Sequence, residues 1–239
     1  MPADAAPSFL YVDVDLAPGP LTLGGDEAHY LARVCRAKPA ERVTITDGRG
    51  GRAEAVVVRI SPDVVIEVGP IERAIIARSA TLFCGAPERG RADWLVEKLA
   101  ELGVSVFQPV DCERGAWSRG EARLERWRRL AIAALRQSRR CRLMEVREPR
   151  ELARALETSA EVVRVLADPD GLPAATVAPS SRGGSALLVG PAEGLSAEEL
   201  RRVREVGYRV ISLADARLRT ETAAMALASW WAGAGGSGS

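Results

Sequence analysis

Between Leu213 and Thr222 the chain reads Leu-Ala-Asp-Ala-Arg-Leu-Arg-Thr-Glu-Thr, with the charged residues Asp215, Arg217, Arg219 and Glu221 alternating with small or apolar ones. Thr220 reads as the N-cap of a helix running to Trp231. An arginine beside the positive end of a helix dipole is disfavoured by a few tenths of a kcal/mol up to ~1, whereas a glutamate in the first turn is favoured. Arg219 therefore needs an anion. Asp215 or Glu221 supplies it as an ion pair, or an outside group does: a phosphate, or a base that becomes anionic during reaction. The helix itself, Thr222 to Trp231, is almost wholly apolar and belongs in the core or in a subunit interface.

A second turn has similar potential. Leu187-Leu188-Val189 runs into Gly190-Pro191-Ala192-Glu193-Gly194-Leu195, and Ser196 with Glu199 spells a capping box for the next helix. Turns at the carboxyl ends of parallel strands form crevices in open sheets, and glycine lets a backbone approach a ligand closely. The same residues also suit an ordinary strand-to-helix connection. A glutamate at 193 is strained if the turn needs a positive φ there. No G-x-G-x-x-G follows a strand and no G-K-[ST] occurs, which disfavours a dinucleotide or ATP enzyme.

The elements that must hold these turns are legible from periodicity. Apolar runs predict strands at Thr81 to Gly85, Val104 to Val110, Val162 to Ala167, Ala186 to Val189 and Arg209 to Leu213, the pattern of a parallel sheet covered on both faces. Helices fall between them. Ala92 to Leu102 stops at Gly103, Glu121 to Ser138 carries Leu124, Trp127, Ala131 and Leu135 on one stripe, and Ala197 to Val206 stops at Gly207. This is α/β. The first 72 or so residues read instead as strands at Phe9 to Val14, Val43 to Thr46, Ala53 to Ile60 and Val64 to Val68, with Asp47-Gly48 as a turn, which suggests a small β-barrel. Asp26 to Arg36 reads as a short helix placing Arg33 and Arg36 one turn apart on one face. The expected division is 1–72 as the barrel, 73–232 as the α/β domain and 233–239 as a Gly/Ser-rich disordered tail.

The formal net charge of +1 hides an uneven distribution: residues 114–142 hold ten arginines against two glutamates, +8, which leaves −7 elsewhere. A polyanionic partner or a solvated charged face explains this equally well. Only Lys38 and Lys98 are lysines. Lys98 and Glu101 are spaced as an intrahelical pair, and His29 reads as structural. Cys35, Cys84, Cys112 and Cys141 are far apart, so reduced buried thiols are expected, with neither a metal site nor a disulfide framework. No run approaches the ~20 apolar residues of a membrane helix, and Met1 to Pro7 does not resemble a signal peptide; the expected location is cytoplasmic.

Several segments together resemble the RsmE-type methyltransferases of the SPOUT class, which methylate N3 of a uridine in bacterial small-subunit ribosomal RNA. They are Arg33-Val34-Cys35-Arg36 with Asp47-Gly48-Arg49-Gly50, Glu97 to Val104, Glu113-Arg114, Glu125 to Arg129 with Gln137-Ser138, Gly190-Pro191 through Glu199, and Leu218-Arg219-Thr220-Glu221-Thr222-Ala223. Their order and spacing span most of the chain. The resemblance implies a PUA-like barrel for RNA, an α/β domain with a deep trefoil knot, S-adenosylmethionine bound bent among the knot loops, and a homodimer whose interface completes the site. The three loops map to Leu166 through Asp170, Gly190 through Gly194 and Leu213 through Leu218. Two departures stand out: the family reads Gly-Pro-Glu-Gly-Gly at Gly190 to Gly194, and Leu-Gly-Pro-Arg at Leu213 to Arg217.

The resemblance further implies a division of labour. Leu166, Asp168, Gly190, Pro191, Glu193, Gly194, Leu213, Ala214 and Leu218 would hold the cofactor. Arg219 would stabilise the uracil anion and Glu221 or water would take the proton. Arg33, Arg36, Arg49, Arg114, Arg139 and Arg140 would bind phosphate. Trp117 and Trp127 invite a base-stacking role, although Trp127 lies on an apolar stripe that fits the core. The altered loops leave open a second possibility, an RNA-binding ribosome assembly factor of this fold without methyl transfer.

Overall fold

The computed structural model describes residues 7–75, 78–157, 163–179 and 182–233; the expected tail at 234–239 and Val162, the expected first residue of a strand, lie outside them. The chain divides into two compact units, one built from positions up to 76 with Leu135–Leu143, the other from Ala77–Ala134 and the chain from Met144 onward.

The first unit contains β1 (Ser8–Tyr11), β2 (Gly19–Leu23), α1 (Gly25–His29), β3 (Arg42–Thr46), β4 (Gly51–Arg59), β5 (Val64–Val68) and β6 (Glu72–Arg73). Its sheet runs β1-β3-β4-β5-β2, with β6 also on β4; β1 and β3 are parallel and the other pairs antiparallel. Strand β4 shows why it forms: Ala53, Ala55 and Val57 point inward while Glu54, Val56 and Val58 alternate outward. Leu10, Leu31, Val43, Ile45 and Ile66 complete the core. The Asp47-Gly48 turn is fixed by the Asp47 carboxylate, whose Oδ1 accepts the Arg49 and Gly51 N–H groups at 2.7 and 2.8 Å.

Two expectations in this unit are corrected. The strand begun at Ser8 ends at Tyr11 rather than Val14. The helix of Asp26 to Arg36 is α1 followed by a π-helical turn over Tyr30–Val34, in which Cys35 N–H donates to Tyr30 O at 2.9 Å. Arg36 lies beyond it at φ +53, so helical spacing does not align it with Arg33.

The second unit is α/β. It contains β7 (Arg78–Cys84), α2 (Ala92–Leu102), β8 (Val106–Asp111), α3 (Glu121–Ser138, the last residues of which belong to the first unit), β9 (Glu145–Val146), β10 (Arg150–Glu151) and α4 (Leu152–Glu157). There follow β11 (Val163–Pro173), β12 (Gly183–Val189), α5 (Ala197–Glu205), β13 (Arg209–Ser212) and α6 (Thr220–Gly233). The sheet order is β10-β8-β7-β12-β11-β13, with β9 beside β8, and every pairing is parallel. Ala80 to Cys84 and Ser185 to Val189 are buried without alternation, as strands covered on both faces must be.

Helix α2 buries Leu95, Val96, Leu99 and Ala100 and packs against α6. Leu124, Trp127, Ala131 and Leu135 are all buried, as the stripe on α3 predicts. Trp117 joins Trp127 and Phe107 in edge-on contacts with centroids 5.3 to 5.9 Å apart, so neither tryptophan is a base platform. Lys98 pairs with Glu101 at 2.7 Å and also with Glu97 at 2.8 Å. All four cysteines are free; Cys84 is buried, while Cys35, Cys112 and Cys141 are only half-buried. Among the described residues no helix is long and apolar enough to cross a membrane.

Candidate active site

The sheet register gathers the turns at one edge. Cys84 is level with Val189, Val189 with Ala167, and Ala167 with Ile211, so β7, β12, β11 and β13 release their chains at neighbouring points. Strand β11 departs from expectation here. It continues to Pro173 because it pairs twice with β13, at Ala167 and again at Leu172 opposite Ile211, so Leu166 through Asp170 is bulged strand rather than free loop.

The other turns lock together through backbone. Gly85 lies so close to Pro191 that a Cβ there would stand 2.7 Å from Pro191 Cα. Ala192 N–H donates to Ala86 O at 3.2 Å and Gly194 N–H to Pro191 O at 2.8 Å. The left-handed residue of the turn is Gly194, at φ +78, and Glu193 is not among the residues of positive φ; the strain feared for a glutamate at 193 is absent. The third turn fastens onto the second. Arg217 Nη2 donates to Ala192 O at 3.0 Å and Thr220 Oγ1 to Gly190 O at 3.2 Å.

Helix α6 therefore begins differently from the N-cap expected of Thr220. Thr220 is its first residue and spends its hydroxyl on Gly190, while Arg219 O accepts the Ala223 N–H at 2.8 Å. The anion that Arg219 needs is Glu88, at 2.6 Å, rather than Asp215 or Glu221; the two side chains are 59% and 54% exposed. Glu221 is 4% exposed. Its Oε1 stands 3.7 Å from Arg91 Nε, and its buried Oε2 has no hydrogen-bond partner among the described residues. Taking a carboxylate out of water costs several kcal/mol unless its lone pairs are met, and the helix dipole returns only ~0.3–1. Burial, then the neighbouring Cys112 and Glu221, push the Cys84 thiol far up, which leaves it protonated and unreactive.

The remaining candidates fall as follows. Leu166 is fully buried in β11, so its side chain is not available to a ligand. Asp168 is half-exposed and its Oδ1 accepts the Asp170 N–H at 3.0 Å. Leu213 and Leu218 are half-buried, and the exposed Ala214 accepts the Ser212 hydroxyl at 3.0 Å. Arg114 is exposed with Nη1 3.4 Å from Leu195 O, at the end of the second turn. In the first unit Arg33, Arg36, Arg49, Arg139 and Arg140 are exposed; Arg49 pairs with Asp13 at 2.7 Å, and Arg139, at φ +54, reaches Pro7 O at 3.2 Å. Glu88 and Arg91 were not singled out from sequence. Their signal was the charged, glycine-bearing run Glu88-Arg89-Gly90-Arg91 after an apolar strand.

Comparison with known proteins gives this geometry a family. A family model described as an RNA methyltransferase domain matches residues 76–232, and one described as an RNA methyltransferase PUA domain matches 23–67. The chain is 34% identical over 140 residues to the ribosomal RNA small subunit methyltransferase E of Aquifex aeolicus, a match spanning 57% of this chain and 60% of that protein. It is 28% identical over 235 residues to the Mycobacterium tuberculosis protein of the same name, spanning 90% and 87%. A crystal structure of a ribosomal RNA small subunit methyltransferase E from Neisseria gonorrhoeae bound to S-adenosyl methionine superposes with a TM-score of 0.84 at 25% identity, over 94% of this chain and 96% of that one. The fold is thus the one expected, a SPOUT-type trefoil-knotted α/β domain preceded by a PUA-like domain, and the chain belongs to the RNA methyltransferase family in its RsmE-type branch.

Proposed function

We propose that this protein transfers a methyl group from S-adenosylmethionine to N3 of a uridine in 16S, small-subunit, ribosomal RNA, as a cytoplasmic homodimer. The observation that carries the reading is the joined edge itself, where the Gly190 and Leu213 turns are hydrogen-bonded to each other under Arg219 and Glu221. S-adenosylmethionine supplies a methyl group on a positively charged sulfur. The residues present fit such a ligand: among the described residues Glu221 keeps a buried oxygen without a donor, suited to a cationic or N–H-bearing group. Backbone at Leu166, Gly190, Pro191, Gly194, Leu213, Ala214 and Leu218, with the side chains of Asp168 and Glu193, forms the cradle in this reading.

Methylation at N3 needs loss of a weakly acidic proton and stabilisation of the uracil anion. Arg219 is assigned the second task, because its guanidinium is exposed at the same edge. Glu221, nearly enclosed and beside Arg91, is assigned the fixed negative charge facing the cofactor. The arginines of the barrel domain, residues 1–72, together with Arg114, Arg139 and Arg140, are assigned to phosphates, and residues 73–232 to methyl transfer. A non-catalytic assembly factor of this fold is not favoured, since the altered positions Ala192, Glu193, Ala214 and Asp215 are exposed and unstrained.

The test is methyl transfer to isolated small ribosomal subunits, read by reverse transcription, because an N3-methyl blocks Watson-Crick pairing and stops the polymerase. A cofactor-dependent stop at one uridine is expected. Its absence, with cofactor bound in calorimetry, rejects the reading.

A further inference from the structure

Resting on the uridine reading above, we propose that the cleft beside Glu88 receives the target base, and that the Glu88 carboxylate recognises and then accepts the N3 proton. The cleft encloses about 510 Å³ and is lined by Ala86, Pro87, Glu88, Arg89, Trp117 and Arg123, among others. That lies within the ~300–1,000 Å³ typical of small-ligand sites. A base reaches such a pocket only after leaving the RNA stack.

The lining is graded in polarity. Trp117 is 4% exposed and held rigid, its Nε1 donating to Cys84 O at 2.8 Å and its ring set edge-on to Phe107 and Trp127. Trp117 backs the cleft without offering a stacking face, and Ala86 and Pro87 supply the apolar surface for a flat ring. Arg89 and Arg123 are exposed guanidinium groups suited to flanking phosphates.

Glu88 makes this cleft specific. Uracil presents two carbonyl oxygens flanking an N3–H, an acceptor-donor-acceptor edge. The Glu88–Arg219 pair presents a carboxylate acceptor next to guanidinium donors, with Glu88 Oε2 2.6 Å from Arg219 Nη1 and both side chains more than half exposed. The N3–H can donate to Glu88 while a carbonyl accepts from Arg219. Cytosine places a lone pair at N3, which faces the carboxylate unfavourably.

In the reaction the N3 proton passes to a Glu88 oxygen. The electron pair left on N3 forms the bond to the methyl carbon, and the carbon–sulfur bond of the sulfonium donor breaks with its pair remaining on sulfur. Charge developing on the ring lies against Arg219. Glu221 is ill placed for this proton, being 4% exposed.

The experiment titrates UMP and CMP separately, to millimolar concentration, into full-length wild-type protein and Glu88→Gln, following the Trp117 indole NMR signal. Cofactor calorimetry and melting temperature show that the variant is folded. The wild type should prefer UMP by about tenfold or more, and Glu88→Gln, whose amide can either donate or accept, should lose that preference. In methyl transfer the variant should be slower by about 10²–10⁴-fold, with the deficit shrinking as pH rises and N3 ionises unaided. Equal affinity for UMP and CMP in the wild type, a preference that survives in Glu88→Gln, or a deficit independent of pH overturns the proposal. A UMP preference that depends on Glu88, without any N3-methyl stop on subunits, supports the base pocket and rejects the uridine reaction instead.

Discussion

Glu199 and Glu221 occupy the same kind of place, the first turn of a helix with 8% and 4% of the residue exposed, and the protein treats them in opposite ways. Both Glu199 oxygens accept backbone N–H groups, Oε1 from Glu113 and Oε2 from Ser196, each at 2.8 Å. Glu221 has Arg91 at 3.7 Å on one oxygen and, among the described residues, no donor on the other. A buried carboxylate left half-satisfied is costly, while a satisfied one is a fastening. The start of α5 is complete as folded; the start of α6 leaves one buried carboxylate oxygen unmet among the described residues.

The contrast can be attacked from the reactive side first. Arg219→Ala should slow methyl transfer by about 10²–10³-fold in single-turnover assays. Its melting temperature should barely move, because an ion pair this exposed is worth only ~0–1 kcal/mol. A collapse in stability would make the α6 start a structural joint like that of α5. Glu199→Ala should do the opposite, losing about 1–3 kcal/mol in urea unfolding with the rate per folded molecule unchanged. Weakened cofactor binding in that variant would erase the distinction. Glu221→Gln should raise the cofactor dissociation constant about tenfold, ~1.4 kcal/mol, while making the cofactor-free protein harder to unfold in urea because a poorly met buried charge is removed; calorimetry separates the two effects.

The smallest effect concerns Cys112, whose thiol is pushed up to about 12 by burial first and then by Glu199. A folded value raised above the ordinary 9.0 contributes stability that is fully present below pH 9.0 and lost as pH rises from there to about 12. Glu199→Gln should narrow that window in unfolding curves taken across it. An unchanged window would mean that the carboxylate has no bearing on the thiol.

What the sequence disclosed followed the strength of local signals. Helix α2 and helix α3 were readable to the residue from apolar spacing, and the Ser196–Glu199 capping box appears with both of its hydrogen bonds. Strand β2, with a glycine and a proline in five residues, and helix α4, only six residues long, carried too little pattern to be seen. The continuation of β11 through Asp168 is imposed by β13, some forty residues later, and no local propensity encodes it. The candidate site divided along the same line. Arg219 announced its need for an anion, but Glu88 lies 131 residues away along the chain and becomes its partner only through the fold.

The contact of Gly85 with Pro191 has a consequence for how this protein can drift. A methyl group at Gly85 would collide with the Pro191 backbone, and one at Gly115 would stand 2.9 Å from the Pro191 side chain, so both positions resist any side chain while Pro191 stays where it is. Within the turn, the side chains of Ala192 and Glu193 instead face solvent, where a changed side chain meets no such backbone.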